Sequence, residues 1–459
     1  MDRNLWLWCT LPGDPGPFGP IIEGGYKRMN SEIVGLLGVA VLVVLLFMRV
    51  WVGIAMAVVG FLGFAYITNF EYACLIMGSV PYSSIANETV AAVPLFILMG
   101  SVVSNTGMGG DLYQTAYKWF GQLRGGLAMA TVVACGGFAA ISGSSSAAAA
   151  TMGKLALPEM KKYRYDMKLA TGSVAAGGTI GILIPPSMGF ILYGILTEIS
   201  IGKLFMAGII PGILEVVFYI GAVFVMCRLN PQLGPVGSKT GIKEKLVSLK
   251  YTWAILVLFL LVMGGIYGGW FTPTEAGAVG AFGAIVISGI TGKVTGKNFF
   301  ASILEAAQTT AMIVLLIASA FVFMKFMAVS RLPDFIANYI AGLPFSPIVV
   351  LLLIILLYIV LGMFLDIFAA ILLTLPILFP VILSLGFDPI WYGVLMVRVM
   401  EVGLITPPMG MNVFILAGVT DTPLGTIFRG VVPFVIADIF HIALLVMVPA
   451  ISLFLPNVM

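Results

Sequence analysis

The chain contains 459 residues, of which 60% are hydrophobic and only 9% are charged, and its mean hydropathy is +1.11. Because a soluble domain is typically about 25% charged, this composition excludes an ordinary soluble protein. It predicts an all-α polytopic membrane protein that lies in a lipid bilayer. The formal net charge of +3 is too small to indicate binding to nucleic acid.

Residues 1–28 differ from the rest of the chain. They include two tryptophans and a stretch rich in glycine and proline, without the period of an apolar helix. They also lack the basic region followed by a long apolar region that marks a standard signal peptide. We interpret this segment as a non-native or mis-called N-terminal extension that precedes Met29.

Ten apolar stretches after Met29 are candidates for membrane spans, since a crossing helix needs about 17–25 residues. They lie near 33–48, 51–69, 125–157, 169–196, 204–227, 252–270, 275–290, 348–379, 391–418 and 431–455. The apolar runs within 72–120 and 298–340 are shorter or are broken by polar groups. Such runs fit re-entrant hairpins as well as full crossings, and the matching places of the two regions favour hairpins.

The chain also contains an ungapped internal repeat. The phrase Gly181–Pro186 recurs as Gly403–Pro408, and Pro185 and Pro407 are 407 − 185 = 222 positions apart. A proline pair interrupts a helix because proline lacks the amide hydrogen and clashes with the preceding turn. At membrane depth, such a break is tolerated only where the freed backbone is buried or lines a cavity. Paired interrupted helices therefore indicate the binding site of a transporter.

The charges predict that the two halves are inverted. The basic residues that follow the first oxygen-rich segment are Lys154, Lys161, Lys162, Arg164 and Lys168. The equivalent loop, 380–390, has none, so the positive-inside rule places the first loop in the cytoplasm and the second outside. We accordingly divide the chain into a first half, 29–227, a cytoplasmic connector, 228–250, and a second, inverted half, 251–459.

Oxygen-rich breaks predict cation sites. Residues 141–146 (Ile-Ser-Gly-Ser-Ser-Ser) interrupt an apolar stretch, and their hydroxyl and carbonyl oxygens suit a hard cation such as Na⁺. In the second half Asp366 takes the place of Ser144, since 144 + 222 = 366. An unpaired carboxylate at membrane depth costs about 2.5–3.5 kcal/mol, which bound Na⁺ would offset. The alternatives are close packing of the small residues and a paired or protonated Asp366.

Helical segments that begin after the proline pairs predict an anion site, because their free amides and positive dipole ends favour negative charge. Ser187 adds a polar side chain after the first break, as do Thr406 and Asn412 at the second. Lys325 and Arg331 are basic residues that could contact an anionic substrate. Their long side chains could equally extend to the membrane interface.

Few other residues suggest chemistry. Arg398 and Glu401 are three positions apart, on one helical face, and we interpret them as a structural ion pair that positions the break at Gly403. A packed role is favoured over a proton relay for His441, the only histidine. The four cysteines lack metal-site or redox spacing, and no pair of nucleophile and base emerges. We therefore expect neither a transition-metal site nor enzymatic activity.

Five phrases occur along the chain in a fixed order: Pro94–Gly100, Gly143–Ala147, Gly181–Ser187, Gly265–Ala276 and Gly403–Asn412. Together they resemble the large membrane subunit of tripartite ATP-independent periplasmic (TRAP) transporters, a family of the ion transporter superfamily, over about Asn30 to the C-terminus. The resemblance implies Na⁺ sites at hairpin tips and at loops of interrupted helices. The matching residues are Gly143, Ser144, Ser145, Gly181, Pro185, Asp366, Gly403, Thr406 and Pro407.

The resemblance further implies a Na⁺-driven, elevator-type importer of small organic anions, namely carboxylates such as C4-dicarboxylates, keto acids or sugar acids, in a bacterial inner membrane. It implies two partners, a small four-helix membrane subunit and a periplasmic substrate-binding protein. We expect the small subunit to be a separate chain, and we expect no cofactor besides the coupling ion. A stand-alone Na⁺/dicarboxylate symporter and, less favoured, an ion channel are the alternatives.

Overall fold

The computed structural model describes residues 29–238 and 240–458, which form twenty α-helices and one 3-10 turn (Glu88–Ala91), without a strand. The first ten helices are α1 (Ser31–Phe47), α2 (Val52–Ile67), α3 (Phe70–Ile85), α4 (Ala92–Asn105), α5 (Met108–Phe120), α6 (Gly126–Ser142), α7 (Ser145–Lys162), α8 (Met167–Leu183), α9 (Met188–Thr197) and α10 (Ile201–Leu229). The others are α11 (Ile242–Tyr267), α12 (Pro273–Ile290), α13 (Gly296–Ser330), α14 (Leu332–Ala341), α15 (Pro347–Phe364), α16 (Ile367–Ser384), α17 (Pro389–Gly403), α18 (Met411–Thr420), α19 (Leu424–Met447) and α20 (Ala450–Val458).

Within the described part of the chain, nine helical segments are long and apolar enough to cross a membrane. Helices suit this role because hydrocarbon offers no hydrogen-bond partner, so every backbone group must be satisfied inside the segment. The predicted all-α polytopic class is confirmed. The predicted extension, residues 1–28, lies outside the described residues.

Two helical hairpins occupy equivalent places in the two halves. In the first hairpin, α6 and α7 are antiparallel, because the Leu127 amide near the start of α6 donates to the hydroxyl of Tyr165, beyond the end of α7, at 3.1 Å. In the second, formed by α15 and α16, the Thr374 hydroxyl donates to the Tyr358 hydroxyl at 3.3 Å. These two residues are equally far from Asp366, so the second hairpin turns at Asp366.

The hairpins predicted at 72–120 and 298–340 are not found there, and that prediction is wrong. Residues 72–120 form α3, the 3-10 turn, α4 and α5, whereas α13 is one continuous helix of 35 residues. At 1.5 Å per residue it is about 52 Å long. Lys325 lies on an exposed face of α13 and does not break it. The two hairpins instead cover stretches that composition alone presented as single spans.

The offset of 222 residues relates helices as well as motifs. Adding 222 to the first residue of α7, Ser145, gives Ile367, the first residue of α16, and adding it to Ile201 of α10 gives position 423, one before the start of α19. The relation extends to the first helices, because Val52 of α2 corresponds to Thr274, the second residue of α12. The repeat detected in the sequence is therefore a repeat of structure.

The two halves have opposite orientations. α18 is parallel to α7, because Asn412 bonds to Ser145 and Gly153 lies against Leu416 further along both helices. The end of α18 therefore lies at the base of the first hairpin. The start of α17 lies at the opposite end of the molecule, where the Tyr193 hydroxyl of α9 donates to the carbonyl oxygen of Pro389, the first residue of α17, at 2.6 Å. The predicted inversion is confirmed.

Candidate functional site

The first break brings a hairpin tip against an interrupted helix. α6 and α7 meet at Gly143, which has a left-handed backbone with φ 57°, and the Ser144 hydroxyl accepts a hydrogen bond from the Ala147 amide at 3.3 Å. A Cβ atom at Gly143 would lie 2.9 Å from the Pro186 carbonyl oxygen, and one at Gly181 would lie 3.0 Å from the Ser144 carbonyl oxygen. Both glycines thus permit a close approach, which brings carbonyl and hydroxyl oxygens together.

The second break repeats this arrangement with different side chains. The Asp366 carboxylate accepts from the Ala369 amide at 2.6 Å and so caps α16. Gly362 of α15 and Gly403 of α17 are in contact, because a Cβ atom at Gly403 would lie 2.5 Å from the Gly362 Cα. The Thr406 hydroxyl donates to a carbonyl oxygen of α17 at 2.6 Å. Hydroxyl, carboxylate and carbonyl oxygens are the ligands that a hard cation prefers.

The proline pairs differ in their surroundings. The peptide bonds Pro185-Pro186 and Pro407-Pro408 are both cis. The first pair is buried, and the completely buried Ser187 caps α9 by accepting from the Phe190 amide at 3.4 Å. The second pair is exposed.

Asn412 connects the two breaks directly. Its side chain is completely buried, and its amide nitrogen donates to the Ser145 hydroxyl at 2.8 Å and to the Ala175 carbonyl oxygen of α8 at 3.4 Å. The Ser145 hydroxyl in turn lies 3.0 Å from the Asn412 side-chain oxygen. The tip of the first hairpin is therefore bonded to the first turn of the helix that follows the second break.

Each hairpin tip also lines a cavity. The cavity at the first tip has a volume of about 90 Å³, and its polar lining residues are Ser101, Ser104, Ser142, Ser144, Glu305 and Thr309. The cavity at the second tip has a volume of about 390 Å³. Besides Asp366, its lining is mainly apolar and includes Trp51, Leu316, Met409, Met411 and Phe414. Both cavities border α13.

The predicted substrate residues are not all brought together. Asn412 lies between the two breaks, and Ser187 lies one residue before Met188, which lines the first cavity. Lys325 is exposed on α13, and the exposed Arg331 ends that helix with a left-handed backbone. Neither basic residue is among those found to line the two tip cavities.

The predicted Arg398–Glu401 ion pair is present, with 3.5 Å between nitrogen and oxygen, but it belongs to a larger group. Arg398 also pairs with Glu215, at 3.2 Å, and with Asp438. Its Nε donates to Nδ1 of His441 at 2.9 Å, so the histidine is packed into the same group. All five side chains are completely buried. We call these five residues the Arg398 cluster.

Sequence reasoning missed several of these residues. Glu305 and Thr309 lie in a region predicted to be a hairpin, and nothing in their spacing marked them as cavity residues. Glu215 and Asp438 could have been found, because each is an ionisable residue isolated in an apolar stretch. Such residues face the protein interior and have partners there.

A family model described as "Tripartite ATP-independent periplasmic transporter, DctM component" matches residues 39–451. The chain belongs to this family. TRAP large permease subunits are transport proteins, so the expected absence of an enzymatic function follows from membership. The resemblance seen in the sequence motifs is confirmed.

Among the relatives of this TRAP subunit is the C4-dicarboxylate TRAP transporter large permease protein DctM of Pseudomonas aeruginosa, 36% identical over 370 residues, with 80% of this chain and 86% of the relative covered. The sialic acid TRAP transporter large permease protein SiaM of Vibrio cholerae is 33% identical over 375 residues, covering 81% and 87%. The fold is similar to that of the YdaH transporter of Alcanivorax borkumensis, with a TM-score of 0.56 at 17% identity, covering 80% and 88%.

Proposed function

We propose that this protein is the large transmembrane subunit of a Na⁺-coupled importer of small organic anions in a bacterial inner membrane. A periplasmic binding protein delivers the anion, and the small four-helix TRAP subunit accompanies the large one. The observation that carries the proposal is the convergence of two hairpin tips and two interrupted helices, joined by the Asn412–Ser145 hydrogen bonds. Inverted, interrupted helices of this kind form the binding sites of secondary transporters.

The Na⁺ ions bind at the two breaks. The proposed ligands of the first ion come from Gly143, Ser144, Ser145, Gly181 and Pro185, and those of the second from Asp366, Gly403, Thr406 and Pro407. Support comes from the close contacts of each tip with its interrupted helix, which concentrate carbonyl and hydroxyl oxygens. Asp366 adds a carboxylate to the second tip, and a bound cation would offset its charge.

The anion binds between the tips and α13. The helices α9 and α18 begin beside the breaks, and the positive ends of their dipoles favour negative charge. Ser187 and Asn412 are the side chains proposed to position it. Lys325 and Arg331, which lie outside the two tip cavities, are proposed as weaker, peripheral contacts. C4-dicarboxylates and sialic acid, named for two relatives, are both organic anions. We extend that class, without a particular substrate, to this chain.

Elevator movement is proposed because the two tips have unequal contacts. The tip of the second hairpin lines a cavity with Val52 and Leu316. The equivalent of Val52 is Thr274, since 52 + 222 = 274. Thr274 lines a cavity with residues of the end of α9 and of the turn into α10, between Gly194 and Ile201. The first tip instead meets α4, where a Cβ atom at Gly100 would lie 2.7 Å from the carbonyl oxygen at the end of α6.

The start of α13 can be placed relative to the basic first loop. Lys293, just before α13, pairs with Asp111 of α5, and Tyr117 of α5 bonds to Tyr163 at the base of the first hairpin at 2.8 Å. α13 therefore starts at that end. α2 runs parallel to α13, with Gly53 against Leu316, 20 residues after the start of α13. By the positive-inside rule this end is cytoplasmic. The second tip lies at Leu316 in this structure and at Val322, farther from this end, when the contacts of the two repeats are exchanged, so we assign the structure to an inward-facing state.

The proposed outward-facing state is obtained when each tip adopts the contacts that its repeat equivalent makes in this structure. The first tip lies at Gly100, which corresponds to Val322 of α13 because 100 + 222 = 322. The second tip now lies at Leu316. The exchange moves each tip by 322 − 316 = 6 residues along its helix, or about 9 Å at 1.5 Å per residue. We propose a sliding movement of this size.

Paired cysteines test the movement. Val52 and Phe364 line one cavity in the present state, and their repeat equivalents are Thr274 and Ser142. With the native cysteines replaced by alanine, the Thr274→Cys/Ser142→Cys pair should cross-link during turnover and reversibly stop uptake. The Val52→Cys/Phe364→Cys pair should cross-link at rest. Normal uptake while the Val52→Cys/Phe364→Cys pair is fully cross-linked would refute the movement.

Reconstitution tests the function. Proteoliposomes that hold both membrane subunits, with a loaded binding protein outside, should concentrate the anion under an inward Na⁺ gradient and not under a matched K⁺ gradient. The large subunit alone should be nearly inert. Concentrative uptake by the large subunit alone would favour the stand-alone symporter. Flux that only equilibrates the anion would favour a channel.

A further inference from the structure

The Arg398 cluster contains none of the residues proposed to contact the ions or the anion. It joins three helices by itself, because Glu215 is on α10, Arg398 and Glu401 are on α17, and Asp438 and His441 are on α19. The cluster therefore crosses the boundary between the two repeats.

Thr179 extends the cluster to a fourth helix, α8. Its hydroxyl lies within hydrogen-bond distance of Glu215 Oε1, at 3.2 Å, and of the Tyr219 hydroxyl, at 3.0 Å. Thr179 is two residues before Gly181, and Glu401 is two residues before Gly403. A continuous set of polar contacts thus runs from just before the first break to just before the second, through Glu215 and Arg398.

The cluster contains more acids than an ion pair requires. Three carboxylates face one guanidinium, and His441 accepts at Nδ1, so its ring is neutral. Each carboxylate keeps one buried oxygen without a hydrogen-bond partner. Arg398 is therefore the common partner that holds Glu215, Glu401 and Asp438 in place. Its planar, five-donor head can contact several acids at once, which a lysine ammonium cannot reproduce.

We propose that this cluster couples the proposed Na⁺ sites at the two breaks, so that Na⁺ bound at one break favours Na⁺ binding at the other. The inference rests on the proposed function. An ion that orders the loop at Gly181 fixes the end of α8. The contacts from Thr179 through Glu215 and Arg398 then favour one position of the end of α17, where Glu401 precedes the second break. Coupling of this kind is reciprocal between the two sites.

Thr179→Val is the sharpest test, since it keeps the shape of the side chain and removes its links to α10. The matched control is Thr171→Val on the same helix. Both threonines are completely buried and both bond to a carbonyl oxygen of α8, at 2.6 Å for Thr179 and 2.7 Å for Thr171. Only the Thr179 hydroxyl also has polar partners on another helix among the contacts described. The difference between the two variants therefore isolates the cross-helix links.

The measurement is the Na⁺ dependence of uptake by the complete reconstituted transporter. We expect a wild-type Hill coefficient of about 2, falling toward about 1 in Thr179→Val and unchanged in Thr171→Val. Na⁺-dependent thermal stabilisation of the purified subunit should show the same loss of steepness. Arg398→Lys should lose the steepness as well.

Three outcomes would overturn the proposal in distinguishable ways. A Na⁺-responsive wild type whose Hill coefficient is about 1, or equals that of Thr179→Val, would refute the coupling and leave the proposed function standing. A wild type without any Na⁺ response in uptake or thermal stability would refute the proposed Na⁺ coupling and this inference together. A lower melting temperature in Thr179→Val with unchanged Na⁺ steepness would assign the cluster a purely structural role.

Discussion

The two proline breaks share a backbone and differ in closure. At the first, the hairpin tip covers Pro185 and Pro186, and Gly143 lies against the carbonyl oxygen of Pro186. At the second, both prolines are exposed, and Met409, the residue after them, is 51% exposed. The repeat therefore contains the same interrupted backbone twice, once buried and once exposed. The side chains that differ between the two copies determine what each break can bind.

The sharpest chemical difference is Asp366 in the second tip and Ser144 in the first. Asp366→Asn should raise the Na⁺ concentration for half-maximal uptake by about a hundredfold, since the ion offsets about 2.5–3.5 kcal/mol of carboxylate burial and each 1.4 kcal/mol is tenfold. Asparagine still caps a helix, so insertion and folding should be preserved. Ser144→Ala, which removes no charge, should have a smaller effect. An unchanged Na⁺ response in Asp366→Asn would contradict the second cation site.

Closure of the first break can be disturbed at Gly143. Gly143→Ala places a methyl group 2.9 Å from a main-chain oxygen, and such overpacking costs about 1–3 kcal/mol, so we expect about a tenfold loss of uptake. Gly107→Ala is the control, because Gly107 also has a positive φ, 73°, with nothing within 4 Å of its Cβ position. Both variants should lose stability through backbone strain. Equal transport by the two would mean that tip closure is not needed.

The link between the breaks is itself unequal. The repeat counterparts of Ser145 and Asn412 are Ile367 and Phe190, since 145 + 222 = 367 and 412 − 222 = 190, so the symmetry-related pair is apolar. Asn412→Ala should lower the free energy of unfolding by about 1–3 kcal/mol, because it leaves the buried Ser145 hydroxyl without this partner. Thermal unfolding in lipid nanodiscs measures it. A double-mutant cycle with Ser145→Ala should give a non-zero interaction energy, and strict additivity would contradict the link.

The smallest effect is expected at the basic residues of the second half. Lys325 and Arg331 correspond to Val103 and Gly109 in the first half, and both are exposed. Surface substitutions usually change free energies by about 0.5 kcal/mol or less, so Lys325→Met and Arg331→Gln should each alter uptake by about twofold. A loss of more than tenfold in either would place that residue at the anion.

The repeat, the two breaks and the oxygen-rich tips were predictable, because proline pairs and serine runs in apolar sequence have few structural explanations. The hairpins were misplaced for a physical reason. Each arm of 17 or 18 residues is as apolar as a crossing helix, so the turn at Gly143 or Asp366 resembles a break within one span. Only part of the Arg398 cluster could be predicted, because the spacing of Arg398 and Glu401 places them on one helix face and carries no information about their partners on α10 and α19.

The unbroken length of α13 has one more consequence. Thr309 faces the first cavity and Leu316 the second, and these residues are 316 − 309 = 7 positions apart, about 10.5 Å along one straight rod. Seven residues are almost two full turns, so both cavities border the same face of α13, one farther along the helix than the other. A tilt of α13 about a point between these residues moves the helix into one cavity and away from the other, so the volume gained by one cavity is lost by the other. A proline placed between these two residues would interrupt α13 and allow its two segments to move independently.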